Sequence, residues 1–324
     1  MKRVILHIGT HKTGTTSIQE WLAATMSEPR DGVVYLPSHR FQEAHHAFAW
    51  SILPRFRASP IARPHIVEPE KLTRAIEKAP GDTVIVSTEN LCFALADNIA
   101  RLAEVLKPFD TRVVAFLRRQ DRYIESEYVQ RVKQLVFPEF RSFQDFLIWA
   151  GHALPQLNYH ALVHRWHKHF PDIVAVNFDH ATRNGGVLKA FTKASDLTVL
   201  NEVMPETERH DNIALDFRHV AIMRLVNGLP LEEEQHKKLR SRMAAHVSAM
   251  PEPGGRLTFY KAGQAYSVYQ GYYNSNERMR EMMDTVNGGA HPFEPFGMPE
   301  GVSIHVDTES SALMDGFLHY LARN

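Results

Sequence analysis

One strand-loop-helix at the start of the chain limits its fold more than any other stretch. Residues 4–8 run Val-Ile-Leu-His-Ile, a short apolar segment that ends at Gly9. Small and polar residues follow, Gly9-Thr-His-Lys-Thr-Gly-Thr-Thr-Ser17, before Ile18, Trp21 and Leu22 set up one apolar helical face. The pattern recurs. Thr83 to Val86 leads into Ser87-Thr88-Glu89-Asn90, Arg112 to Leu117 into Arg118-Arg119, and Ile173 to Asn177 into Phe178-Asp179, and each run precedes a segment with helical periodicity. Strands that alternate with helices close through right-handed crossovers, so the pattern predicts an α/β fold with a mostly parallel central sheet and helices on both faces. In such sheets the carboxyl ends of the strands hold the ligands, which singles out the residues just after each run.

The second half reads as more helical. Asn212 to Asn227 and Leu231 to Arg242 carry helical patterns, the segment from Thr308 onward reads as a terminal helix, and Pro251 to Gly255 and Gly288 to Gly301 read as loops. No repeat or linker interrupts the 324 residues, so they are taken as a single domain 1–324, with a core over about 1–180 and a helical, loop-rich remainder over 181–324. Lys+Arg and Asp+Glu both number 37, which leaves no overall field to gather nucleic acid or an anionic membrane; any anion site must be local. The only cysteine, Cys92, excludes an internal disulfide, fits a reducing compartment and reads as a small buried hydrophobe. His7 and His11-Lys12 cut the first apolar run far short of a signal peptide, and no run approaches the ~18 apolar residues of a membrane span. The expectation is a cytoplasmic protein with no membrane span and no nucleic-acid partner.

The first loop has the chemistry of an anion cradle. Amides at a helix start lack intrahelical partners and face outward, where the helix dipole favours negative charge. Gly9 and Gly14 let the backbone turn, Lys12 adds a full charge, and Thr13, Thr15, Thr16 and Ser17 add hydroxyls. The lysine stands two residues before the second glycine rather than after it, so this is not the G-x-x-x-x-G-K-[ST] loop of magnesium-nucleotide enzymes. Residues 7–19, His-Ile-Gly-Thr-His-Lys-Thr-Gly-Thr-Thr-Ser-Ile-Gln, instead resemble the 5′-phosphosulfate loop of sulfotransferases that use 3′-phosphoadenosine 5′-phosphosulfate (PAPS), bacterial carbohydrate-type members in particular. The resemblance implies a P-loop-like sulfotransferase fold with a nucleotide-binding core. It implies that Lys12 reaches the bridging oxygen and the transferring group, and that Thr13, Gly14, Thr15, Thr16 and Ser17 hold the 5′-phosphate.

Arg118 follows a strand, and Ser126 stands eight residues on, where a helix can turn it back toward the same anion. In the family an arginine and a serine so spaced bind the 3′-phosphate; Gln120 stands where proline is frequent there. The continuation Ser126 to Lys133, and Asn158-Tyr159 ahead of Trp166, also resemble bacterial members; the similarity covers about 4–22 and 83–180 and fades thereafter. The resemblance implies transfer of a sulfuryl group from PAPS to a hydroxyl or amine of a small-molecule or glycan acceptor, leaving 3′-phosphoadenosine 5′-phosphate (PAP).

Glu89 is the expected general base, because carbohydrate-type members commonly use a glutamate at that strand end; its other reading is a carboxylate serving a helix dipole. The His45-His46 pair is the competing base, as in relatives that sulfate phenols and steroids. His160, His164, His167 and His169 lack the H-E-x-x-H pattern of a zinc enzyme, and no metal is expected. The acceptor pocket is expected in variable segments, His39 to Arg63 and 250–305, with Trp50, Phe56, Tyr266, Tyr269 and Tyr272 as rings that could stack on a sugar or belong to the core. Two other functions stay open: a nucleotide-dependent kinase or hydrolase with a variant phosphate loop, and a nucleotide-binding protein without catalysis.

Overall fold

A computed structural model describes residues 1–134, 138–205, 216–287 and 303–323, with no side chains described for 283–287. In chain order the elements are β1 (Arg3–His7), α1 (Thr15–Thr25), β2 (Val33–Tyr35), α2 (His46–Ile52), α3 (Pro69–Lys78), β3 (Thr83–Ser87), α4 (Ala96–Leu106), β4 (Asp110–Leu117), α5 (Gln120–Lys133), α6 (Phe143–Ala153), α7 (Tyr159–His167), β5 (Ile173–Asn177), α8 (Phe178–Arg183), α9 (Gly186–Ser195), α10 (Phe217–Asn227), α11 (Glu233–Ser248), β6 (Arg256–Thr258), α12 (Gln264–Asn287), β7 (Ser303–His305) and α13 (Ser311–Arg323). They fall into two compact units. The first takes Met1–Arg119, Pro155–Arg209 and Tyr272–Glu294, the second Gln120–Leu154, His210–Gly271 and Pro295–Asn324.

The first unit is built on a five-stranded sheet in the order β2-β3-β1-β4-β5, with every pairing parallel. Its strands alternate strictly between two apolar layers, as the two-residue period of a strand requires. Val4, Leu6, Val84, Val86, Val113 and Ala115 pack on one face with Leu102 of α4 and Trp166 of α7. Ile5, Ile85, Val114 and Phe116 pack on the other with Ile18 and Leu22 of α1 and Phe191 of α9. Both faces being covered, these strands have no polar side to show, which is why they read as unbroken apolar runs. The α/β class and the helices on both faces follow the sequence expectation.

The differences lie at the margins. The three-residue strand β2 has no periodicity of its own and exists through its pairing with β3. The helix expected from Asn212 begins at Phe217, residues 212–215 lying outside the described residues; that of 231–242 runs Glu233–Ser248, and the terminal one Ser311–Arg323. The loop expected over 288–301 also lies outside them. The 24-residue α12 was not anticipated, because it is polar for most of its length.

The second unit holds α5, α6, α10, α11, α13 and a parallel β6-β7 pair. Its centre is aromatic: Tyr128 meets Phe143 edge-on at 5.2 Å between ring centres, and Phe217 stacks on Phe259 at 4.4 Å.

Pairing between β1 and β4 continues past the strand end into the first loop. Ile8 N donates to Val114 O at 3.0 Å, Phe116 N to Gly9 O at 2.5 Å and Thr10 N to Phe116 O at 2.7 Å. The loop is thereby held on the sheet edge rather than free above it. Gly9 has φ +84°, and a Cβ there would stand 2.6 Å from Cβ and 2.9 Å from Cα of Glu89. Both the backbone conformation and the neighbour exclude any side chain. Gly9→Ala should therefore cost about 1–3 kcal/mol or more in urea unfolding; an unchanged midpoint would show that the loop can leave β3 without penalty.

Candidate functional site

The first loop enters α1 through Gly14, whose φ of 72° is left-handed and whose missing Cβ leaves room for Val187 at 3.1 Å. The first intrahelical bond is Ile18 N to Gly14 O, 3.2 Å. Helix geometry therefore gives the amides of Thr15, Thr16 and Ser17 no partner within α1. No acidic residue occupies the first turn. Lys12 is half-buried with φ 62°. Thr13 is fully buried and its hydroxyl donates to Thr10 O at 2.6 Å, so that hydroxyl braces the loop, and what Thr13 can offer a ligand is its backbone. Thr16 is exposed, Ser17 half-exposed and Thr15 buried.

The end of β4 brings Arg118 to the same loop. Its Nη1 donates to Lys12 O at 3.2 Å and its guanidinium lies 5.3 Å from the centre of the Phe178 ring. The turn that carries it is pinned: Tyr159 OH donates to Arg118 O at 2.5 Å, and Arg119 N to Asp179 Oδ2 at 3.1 Å. Lys12 and Arg118, which the sequence assigns to two separate anion sites, thus meet at one loop, Lys12 within it and Arg118 bonded to it from the end of β4. Ser126 lies half-buried on α5, in the second unit.

From the other side, β3 delivers Glu89 as the first residue of a 3-10 turn, Glu89–Phe93. Gln19 Nε2, one turn into α1, donates to Glu89 Oε2 at 2.8 Å and lies 3.3 Å from Ser87 Oγ. His46 Nε2 is 3.8 Å from Glu89 Oε1. Burial pushes the carboxyl up, but His11 and His46 beside it, with the hydrogen bond from Gln19, outweigh burial and hold it below the usual carboxylate range. Glu89 is thus ionised at neutral pH and able to take a proton. It adjoins the Lys12 loop through its contact with Gly9.

The two adjacent histidines have separate roles. His45 is fully buried; its Nε2 donates to Leu36 O at 2.8 Å while its Nδ1 accepts from Ser87 N at 3.1 Å. Both nitrogens tie the start of α2 to the sheet, and burial lowers the imidazole to about 3. His46 turns the other way, toward the carboxylate. Asn90 Nδ2 lies 3.0 Å from its Nδ1, which as acceptor leaves the proton on Nε2, the nitrogen facing Glu89. Burial lowers His46 as well.

Three members of this group were not singled out by sequence. His7, buried completely, places Nδ1 2.8 Å from Ser87 Oγ and is lowered to about 4 by burial. His11 packs on Phe93 with ring centres 4.9 Å apart. Gln19 looks like any polar helix residue, and only its position one turn after the loop could have marked it. Elsewhere, His160 stacks on His164 at 5.7 Å, and among the described residues no group of three or more His, Cys, Asp or Glu side chains is placed to hold a metal ion. Cys92 is buried, and no helix among the described residues is long and apolar enough to cross a membrane.

No known family's sequence profile matches the chain. An uncharacterized protein of Archaeoglobus fulgidus is 25% identical over 213 residues, which make up 63% of this chain and 55% of that one, so the chain spans about half the length of this relative. Among solved structures, the fold is similar to a sulfotransferase from Alicyclobacillus acidocaldarius, at 16% identity and a TM-score of 0.45 over 70% of this chain and 92% of that one. It is also similar to retinol dehydratase in complex with androsterone and the inactive cofactor PAP, at 14% identity and a TM-score of 0.34 over 89% and 82% of the two chains.

Acid should unfold this site early. His45 and His7 have folded-state values near 3 and 4, below the ordinary 6.5. The unfolded chain takes up protons below pH 6.5 and the folded one does not, so the stability they contribute is present above 6.5 and is lost as pH falls toward 4. The two together set a slope of up to about 2.7 kcal/mol per pH unit. Urea midpoints at pH 7 and pH 5 measure it. His45→Gln should flatten the dependence, and a wild-type curve flat from 7 to 5 would contradict the burial of both rings.

Proposed function

We propose that this chain is a sulfotransferase that moves a sulfuryl group from PAPS to a hydroxyl or amine acceptor. The observation that carries the reading is the contact between Gly9 and Glu89, which sets a buried, ionised carboxylate directly against a cationic, amide-lined loop. Such a pairing suits a reaction between an anionic donor and a protic nucleophile.

In this reading Lys12 and the backbone of Thr13, Gly14, Thr15, Thr16 and Ser17 bind the 5′-phosphosulfate. Arg118 and Ser126 bind the 3′-phosphate, a group that ATP lacks. The acceptor's oxygen or nitrogen attacks sulfur as the bond from sulfur to the 5′-phosphate oxygen breaks, and the acceptor's proton passes to Glu89. Lys12 and the helix amides meet the charge that grows on the leaving oxygen, where fixed donors act most strongly. Gln19 and His46 hold the carboxylate in place. The bonds of both His45 ring nitrogens to backbone groups support Glu89 over His45 as the base. No metal enters this scheme; the products are the sulfated acceptor and PAP. The lone buried Cys92 suits a cytoplasmic setting.

PAP at 100 times its Kd should stabilise the fold by about 2.7 kcal/mol without magnesium. Stabilisation by magnesium-ATP and none by PAP would favour a kinase instead. Arg118→Ala should weaken PAP strongly and adenosine 5′-phosphosulfate little, because only PAP carries the 3′-phosphate.

With an acceptor in hand, Glu89→Gln should lower single-turnover transfer by about 10²- to 10⁴-fold while PAP affinity holds. Transfer near the parent rate would remove Glu89 as the base.

A further inference from the structure

The acceptor side of this centre carries a charge pattern that the donor-binding residues do not use. Between Glu43 and Glu68 the chain has no acidic residue, although over its whole length acids and bases are equal in number. In that interval stand Arg55, Arg57 and Arg63, all exposed, and none of them is in an ion pair among the described residues. A solvated surface in a chain of balanced charge ordinarily intersperses both signs.

The interval is anchored on Glu89's own turn. At its start His46 faces the Glu89 carboxylate and bonds Asn90. At its middle Arg55 lies over Phe93, the last residue of that turn, with the guanidinium carbon 4.5 Å from the ring centre. A 3-10 turn rises about 2 Å per residue, so Glu89 and Phe93 are about 8 Å apart along it. The segment thus spans the turn that carries the proposed base.

Arg55 is also held. Its guanidinium lies 5.3 Å from the centre of the Phe56 ring as well, so two aromatic faces fix a side chain that would otherwise sample many rotamers. Phe93 in turn packs on His11, next to Lys12. Trp50, 6% exposed, anchors the segment from beneath, with Phe41 at 5.2 Å and His65 at 6.0 Å between ring centres. An exposed cation that is rigidly placed and not neutralised has already lost the entropy that binding an anion would otherwise cost it.

Resting on the sulfotransferase reading, we propose that Arg55, Arg57 and Arg63 bind the acceptor and that the acceptor is an anion: a hydroxyl- or amine-bearing molecule with carboxylate, sulfate or phosphate groups near the atom that is sulfated. The physical reason is repulsion. The donor brings its own negative charges, already met by Lys12 and Arg118, and an anionic acceptor approaching it needs further cations on its own side. A neutral acceptor needs none, and unpaired arginines there would only raise the desolvation cost of docking it.

The test uses the full chain, sulfur-labelled PAPS and two acceptor pools that offer the same hydroxyls and differ in charge: uronic-acid oligosaccharides with phosphorylated sugars, and the same oligosaccharides with their carboxyls converted to methyl esters, with sugars O-methylated at the phosphorylated position. Label should enter the charged pool at least about tenfold faster and lose that advantage in high salt. The triple variant Arg55→Gln/Arg57→Gln/Arg63→Gln should lower kcat/KM for the charged acceptor about tenfold or more, with PAP affinity unchanged. Preferential labelling of the neutral pool overturns the proposal, as does full activity of the triple variant. Weakened PAP binding in that variant overturns it too, by moving the arginines to the donor side. Absence of label from both pools in a chain that binds PAP sinks the anionic-acceptor proposal alone, whereas absence of PAP binding sinks the sulfotransferase reading beneath it.

Discussion

The close approach of Gly9 to Glu89 is the constraint from which the site follows. Backbone pairing with β4 continues through Gly9 and Thr10, so the first loop lies along the sheet edge between two strand ends instead of arching away. That geometry works only without a side chain at Gly9, because β3's exit passes within contact distance of it. A loop that offers positive charge and open amides is thereby set against a carboxylate from the neighbouring strand. Opposite chemistry from β1 and β3 meets because parallel neighbours in one sheet end on the same side.

Burial then decides what each group can do. A carboxylate taken out of water tends to stay protonated, and Glu89 escapes that tendency because Gln19 donates to it while His11 and His46 surround it. His7 and His45 experience the same desolvation without a close carboxylate hydrogen bond and are held neutral. Together with Ser87 they form a polar seam beneath the site, in which His45 bonds the backbone of both Leu36 and Ser87. Such a seam, joined to Glu89 through Gln19, leaves the carboxylate little freedom to reorient.

Much of the site was legible because it is local. The glycines, lysine and hydroxyls of the first loop lie close together in sequence, and the strand before it announces itself as an apolar run and the helix after it by its period. That Arg118 and Glu89 lie beside this loop follows from the same rule, that residues just after the strands of a parallel sheet end on one side of it. Gln19, His7 and His11 were missed, since a glutamine on a helix or a histidine in a strand carries no pattern until its partner is known. Thr13 was read as a donor to the ligand, yet its hydroxyl turns inward to Thr10, a choice made by the loop's fold and not by its composition.

The sequence by itself determined the elements and their layering: short unbroken apolar runs between helical stretches point to a parallel sheet covered on both faces. It also determined where anion chemistry is concentrated, because backbone amides and a lysine at a helix start need no distant partner. Only the tertiary structure decided the strand order, which puts β1 between β3 and β4 and so brings Glu89 and Arg118 to opposite sides of one loop. It alone divided His45 from His46. Adjacent residues at a helix start project in different directions, and which direction meets a backbone carbonyl and which a carboxylate depends on the strands beneath, many residues away in the chain.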